Sequence, residues 1–182
     1  MTFDYQPVLK SDLVELRPLR EKDFIDLYAV ATDPLIWEQH PVRNRYEKAI
    51  FEQFFQEALA SGGTLIVIDL NTQHIIGSSR FHAYDNRRSQ VEIGWTFLAR
   101  SHWGGAYNRD VKRLMLEHAF RFVASVVFLI GVENVRSQRA LEKIGGVRVD
   151  RGLDAGGRES YVYKITAAAF EPPERQLDGS TA

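Results

Sequence analysis

Apolar and polar residues follow two periods along this chain, and the places where the period changes outline an α/β (α+β) architecture. Runs with period two, or solid apolar runs, predict strands at 13–19, 64–70, 75–83, 91–98 and 126–132. In the first, Val14 and Leu16 share a face, and Pro18 marks the strand's end or an edge position. A last antiparallel pair is predicted at 147–150 and 160–165, joined by a glycine-rich loop. Helical spacing appears at 21–32, where Phe24, Leu27, Tyr28 and Ala31 recur on one face until Asp33-Pro34 stops the helix. A second helix is predicted at 46–60, with Ile50, Phe51, Phe54, Phe55, Ala58 and Leu59 on a broad apolar face closed by Ser61-Gly62-Gly63. A third spans about 108–123. Arg113, Glu117 and Arg121 line its solvated face, and Val111, Leu114, Met115, His118 and Phe122 its buried one. A short fourth, at 137–144, is closed by Gly145-Gly146.

This order predicts a mixed central sheet of about seven strands with about four helices on both faces. The third helix is a crossover, so the strands at 91–98 and 126–132 should be parallel neighbours joined by a right-handed connection. The length of 182 residues suits one domain over 1–182, with a core at about 13–165 and a polar tail from Glu171.

Composition narrows the function classes. A formal net charge of −1 gives no broad attraction to nucleic acid or anionic membrane. With no cysteine, disulfides, thiolate nucleophiles and zinc–thiolate sites are excluded, and the histidines lack metal-site spacing. No apolar run approaches the ~20 residues that span a bilayer. The first ten residues, with Asp4, Gln6 and Pro7, lack the apolar stretch of a signal peptide, so a cytoplasmic protein is expected.

Three segments carry chemistry. Between the strand at 91–98 and the third helix lies Arg100-Ser101-His102-Trp103-Gly104-Gly105-Ala106-Tyr107-Asn108. A turn of this kind aims several backbone N–H groups at one place, and the helix N-terminus adds positive potential, so it suits a phosphate. A tight turn that merely needs glycine would look the same. In the strand, strict alternation puts Val91, Ile93, Trp95 and Phe97 on one face and Glu92, Gly94, Thr96 and Leu98 on the other. Glu92 in a central strand needs a partner, such as Arg80, or a water-filled cleft; partly desolvated, it becomes a general base near neutral pH. At ~3.3 Å per residue, Glu92 lies roughly 20 Å from Leu98, room for an extended, phosphate-anchored ligand. In the third segment, Asn134 and Ser137 follow the second central strand, where they either cap a helix or bond a ligand at the strand's carboxyl end.

Together the segments LVELRPLREKDFIDLY, EIGWTFLARSHWGGAYNRDVKRLMLEHAF and NVRSQRALEKIGG, in this order, resemble the GCN5-related N-acetyltransferase (GNAT) superfamily, and within it the ribosomal-protein alanine acetyltransferase branch. The resemblance implies a GNAT fold and acetyl-CoA as co-substrate, with no metal. It implies that the backbone from Trp103 through Gly104, Gly105, Ala106, Tyr107 and Asn108 to Arg109 holds the coenzyme's pyrophosphate, with Arg100 adding charge. The pantetheine arm would run along Trp95, Thr96, Phe97 and Leu98 and meet Asn134. Glu92 would take a proton from the acceptor amine, and a strand N–H near Phe97 would stabilise the oxyanion. The loop departs from the family's Gln/Arg-x-x-Gly-x-Gly/Ala at Ser101. Leu141 stands where many members have the tyrosine that protonates the thiolate, so the resemblance assigns that role to Ser137.

The acceptor, a primary amine of a protein N-terminus or small molecule, would enter between the segment 37–60 and the loop 152–158, with Trp37 and Tyr84 as walls. Partners other than these two substrates are not expected, and the protein would be a monomer or homodimer. A coenzyme-A-binding module without transfer activity is the alternative.

Overall fold

The elements follow the predicted order, with one strand added. The computed structural model describes residues 2–170; the polar tail from Glu171 lies outside the described residues. The addition is β1 (Leu9–Lys10), which pairs antiparallel with β2 (Val14–Pro18) in the register Leu9↔Leu16. Two residues have no period to read, which is why hydrophobic patterning misses this strand.

After β2 come α1 (Phe24–Ala31) and α2 (Lys48–Ala60), then β3 (Thr64–Asp69), β4 (Ile75–Asp85) and β5 (Gln90–Leu98). The crossover helix α3 (Ala106–Ala119) leads to β6 (Ser125–Gly131), and α4 (Val135–Glu142) to the hairpin of β7 (Val147–Leu153) and β8 (Glu159–Thr166). The eight strands form one sheet in the order β1-β2-β3-β4-β5-β6-β8-β7, and β5–β6 is its parallel pair. Helix α2 starts two residues later than its apolar stripe suggests, because Glu47 is extended. Helix α3 starts two residues earlier and ends at Ala119; Phe122 and Val123 follow in a turn. The last hairpin is longer than its sequence pattern, leaving the tight loop 154–158.

Each sheet face has its own core, and strand alternation feeds both. In β3, Leu65 and Val67 join Val14, Leu16, Val111, Met115 and Leu116 on the α3 face. Ile66, between them, joins Leu27, Ala31, Phe51, Phe54 and Phe55 on the α1–α2 face. Full burial of each such side chain stabilises the fold by ~1.5–3 kcal/mol.

Strict alternation fails in β5. Between the registers Arg80↔Gly94 and Ser78↔Phe97, β5 spends three steps where β4 spends two, and Trp95 has φ +51°. This is a β-bulge, one extra residue that reverses the facing of everything after it. Leu98 therefore joins Val91 and Ile93 in the α3-side core, while Phe97 and Trp95 pack on the α1–α2 side.

Strands β5 and β6 also part company. They pair only at Gln90–Glu92 with Ser125–Val127. Beyond that, β5 stays with β4 as far as Leu98, and β6 stays with β8 as far as Gly131. A wedge opens just past Glu92. Among the described residues no helix is long and apolar enough to cross a membrane.

Candidate active site

The wedge between β5 and β6 is the floor of a forked cleft. One arm runs to the N-terminus of α3, past Thr96, Leu98, Trp103, Gly104, Asn108, Asn134 and Ser137. The other runs under the β7–β8 loop, past Glu92, His40, Arg45, Asp154, Gly156 and Arg158. They are called here the helix arm and the hairpin arm.

The helix arm is built on a pinned turn. Trp103 Nε1 donates to the Leu98 carbonyl at 2.9 Å, and the Arg136 guanidinium lies 3.9 Å over the Trp103 ring. Tyr107 turns away from the cleft: its hydroxyl donates to Asp69 at 3.2 Å and its ring meets His102. Burial works against ionisation of Asp69, yet hydrogen bonds from the Asn71 N–H, Thr72, His102 and Tyr107 hold its pKa below the ordinary value.

Trp103's own N–H donates to the Arg100 carbonyl, so the free backbone donors begin one residue later than the resemblance implies. The N–H groups of Gly104 and Gly105 donate to no described acceptor, and α3 has no side-chain cap. The first turn of an α-helix leaves its N–H groups without intrahelical partners, so Ala106, Tyr107 and Asn108 extend this row. Gly104 has φ +70°, and a Cβ there would meet nothing within 4 Å. The left-handed backbone requires glycine, and the space beside it is open. Arg100 does not face the row; its guanidinium donates to Asp33, which holds that carboxyl below its usual pKa. Arg109 is exposed on the first turn of α3.

In the wedge, Lys112 reaches from α3 and donates to Thr96 Oγ1 at 2.6 Å, while Thr96 also bonds Ser79 at 2.7 Å. The Lys112 ammonium sits 5.3 Å from the Phe128 ring centre and has no described carboxylate within ion-pair reach. Burial pushes its pKa down to about 7. The oxyanion donor expected near Phe97 is not Phe97 itself. Its carbonyl crowds Gly77 of β4, and the Ala99 N–H donates to Ile76 of the same strand. Alternation then turns the peptide groups of Leu98 and Thr96 towards the wedge.

Glu92 stands where the strands part, paired in register with Val127 on β6 and His82 on β4. No described residue hydrogen-bonds its carboxylate. Burial, then the nearby Asp154 charge, push its pKa up to about 7, against the pull of Arg80. Gly94 makes room for it, since a Cβ at 94 would lie 3.2 Å from Glu92 Oε1. Arg80 makes no ion pair with Glu92. Its Nε donates to Thr64 at 2.9 Å, and its guanidinium lies over Trp95 at 4.6 Å.

Asn134 caps α4 and leaves its amide nitrogen over. Its Oδ1 accepts from the Ser137 N–H at 3.1 Å as the N-cap of α4, while its Nδ2 donates to no described residue. The Ser137 hydroxyl is likewise unengaged and faces both arms. Leu141 is buried in the core beside the cleft.

The two expected acceptor walls lie elsewhere. Trp37 is 1 % exposed, donates from Nε1 to the Ala31 carbonyl and packs against Phe97 beside the helix arm. Tyr84 stacks on Phe3 at 5.5 Å and does not line the cleft. The residues that do form the hairpin arm, Arg45, Asp154 and Arg158, carry no sequence motif. Lys112 does leave a signal: it precedes Met115 and Leu116 by three and four positions, so it shares their inward face. Among the described residues no three His, Asp or Glu side chains converge as a metal-binding group.

The family model for the acetyltransferase (GNAT) domain matches residues 14–147. Among solved structures, a GNAT-family acetyltransferase from Bacillus anthracis is 19% identical with TM-score 0.72, the match covering 88% of this chain and 98% of that one. A GCN5-related N-acetyltransferase from Brucella melitensis is 18% identical with TM-score 0.75, over 90% and 80% of the two chains. A spermidine N-acetyltransferase from Vibrio cholerae, in complex with CoA and spermine, is 16% identical with TM-score 0.64, over 87% and 98%. Among the curated proteins none matches this chain.

Proposed function

Because the chain belongs to the acetyltransferase (GNAT) domain family, we propose that its forked cleft joins two substrates, with acetyl-CoA in the helix arm and a primary amine in the hairpin arm. The observation that carries this reading is Glu92: an unbonded carboxylate with its pKa near 7, standing where the arms meet.

The free N–H groups of Gly104, Gly105 and the first turn of α3 hold the pyrophosphate. The pantetheine arm lies in the wedge as a substitute strand, bonding the inward peptide groups of β5 and the Asn134 Nδ2. Glu92 takes a proton from the acceptor ammonium, directly or through water. The neutral amine attacks the thioester carbonyl, and the N–H of Thr96 or Leu98 stabilises the oxyanion. The tetrahedral intermediate collapses and the C–S bond breaks; the Ser137 hydroxyl passes its proton to the departing thiolate and regains one, directly or through water, from the attacking nitrogen as it becomes the amide. The products are the N-acetyl amine and coenzyme A. We read the chain as one catalytic domain of the ribosomal-protein alanine acetyltransferase branch, on the Asn134–Gly146 motif and Ser137.

Thiol release from acetyl-CoA across a panel of amines and N-terminal peptides tests the activity, and calorimetry with acetyl-CoA tests the coenzyme site. Saturable binding without thiol release from any acceptor would favour the second reading, a coenzyme-A-binding module. Leu141, apolar where a phenolic donor is usual, favours that alternative.

A further inference from the structure

The hairpin arm holds buried positive charge that no described carboxylate pairs with. Arg45 is 9 % exposed, and no described carboxylate approaches it within ion-pair distance. It lies over the Trp37 and Phe54 rings, at 5.2 and 4.5 Å. Its Nε is buried with no hydrogen-bond partner. Arg80, 5.9 Å from the Phe54 ring centre, is also buried and leaves NH2 without a partner. A buried donor left without an acceptor is unfavourable, the more so when it is charged.

Among the described residues, the one side chain within hydrogen-bond reach of the Arg45 fork deepens the mismatch. Arg45 NH1 is 3.2 Å from His40 Nε2. His40 Nδ1 already accepts the Val42 N–H at 2.9 Å, so the neutral ring carries its proton on Nε2. Burial, then the Arg45 charge, hold His40 neutral by pushing its pKa to about 3. Two donors therefore face each other, His40 Nε2–H and the guanidinium, with no acceptor between them. The other charges of this arm do not supply one. Asp154 is occupied by the Gly156 and Arg158 N–H groups of its own loop and lies 3.5 Å from the Arg158 guanidinium. Arg158 adds to the positive potential at both His40 and Arg45, and Glu57 acts on Arg45 and Arg80 only through space. Glu92 faces the same arm and is unbonded.

We infer that the hairpin arm is an oxyanion site, and that the acceptor is an amine carrying a carboxylate, which accepts from Arg45 and His40 Nε2 while its amino group faces Glu92. An oxygen between two opposed donors satisfies both, and a planar carboxylate matches the guanidinium fork. A polyamine would bring cations to a surface that already holds Arg45 and Arg158. The inference rests on the acceptor reading of this arm.

Matched acceptors test it. Free amino acids are assayed against their α-amides, peptide amides with an acidic second residue against their amide-side-chain counterparts, and spermidine as a carboxylate-free amine. The expected result is a kcat/KM for the acid at least about tenfold above that for its amide, with the two kinds of acid pair showing whether a free amino acid or a peptide side chain supplies the carboxylate. Arg45→Met should erase the ratio, and Arg45→Lys should retain part of it. A readout free of turnover is the melting temperature with coenzyme A present: N-acetyl amino acids should raise it more than N-acetyl amino amides do. Equal or faster turnover of amides or spermidine overturns the inference, as does an equal melting shift for acid and amide. If acetyl-CoA binds and no amine turns over, the transfer reading fails while the melting comparison still decides the oxyanion site. If Arg45→Met does not fold, the wild-type comparison alone decides.

Discussion

The two arms of the cleft are made from different materials. The helix arm is mostly backbone: the N–H groups of Gly104, Gly105 and the start of α3, and the wedge edge of β5. The hairpin arm is mostly side chains from separate parts of the chain: His40 and Arg45 before α2, Glu92 on β5, Asp154 and Arg158 on the β7–β8 loop. A backbone site depends on where strands and helices begin and end, so sequences that keep those ends keep the site. A side-chain site changes with single substitutions.

The sharpest break in the comparison is Glu92→Gln, which should lower kcat/KM by ~10²–10⁴-fold. Calorimetry should find acetyl-CoA affinity unchanged, because the helix arm is untouched; equal losses in both would erase the division between arms. In the wild type, kcat/KM should rise with pH around a midpoint of about 7, as Glu92 loses its proton, and the variant should lack that limb. Next is Gly104→Val. A β-branched residue at φ +70° costs ~1–3 kcal/mol of backbone strain, which should appear as weaker coenzyme A binding, with acceptor preference unaltered.

Lys112 and Glu92 make a third, smaller test through pH. Glu92 has a folded pKa raised from 4.5 to about 7, so its contribution to stability is intact below pH 4.5 and declines as pH rises to 7. Lys112 has a folded pKa lowered from 10.5 to about 7, so its contribution increases as pH rises from 7 to 10.5. Lys112→Met should therefore be more stable than wild type by ~1–2 kcal/mol at pH 6, with the gain shrinking by pH 10 in urea melts. A gain independent of pH would show that Lys112 is not protonated on unfolding. The smallest effect is Asn134→Ala, which should cost ~1 kcal/mol from lost capping of α4 and weaken coenzyme A slightly through Nδ2.

What the sequence revealed follows the same division. The strand–turn–helix at Glu92–Ala119 and the parallel β5–β6 crossover were legible, because each depends on neighbouring residues: a period, a glycine pair, a helix start. Seven of eight strands were legible for the same reason. The face assignment of Phe97 and Leu98 was not, because the bulge at Trp95 leaves an unbroken run of strand-forming residues. Trp37 looked like a binding-site aromatic, yet it fills the core beneath α1, since a large ring with one donor is satisfied by the Ala31 carbonyl. Arg45 and Asp154 gave no local signal at all. More than a hundred residues separate them, and only the closed fold puts them in one arm.

The bulge at Trp95 also sets a reading frame for the sheet. Upstream of it β5 is in phase with one assignment of inside and outside; downstream it is in the other. A point substitution leaves the frame alone. Straightening the bulge with every residue retained would restore strict alternation and exchange Phe97 and Leu98 between two cores shaped for the opposite residue, whereas deleting Trp95 itself would leave both on the faces they hold now. A codon lost at the bulge therefore keeps the frame, whereas a codon lost beside it with the bulge retained shifts it.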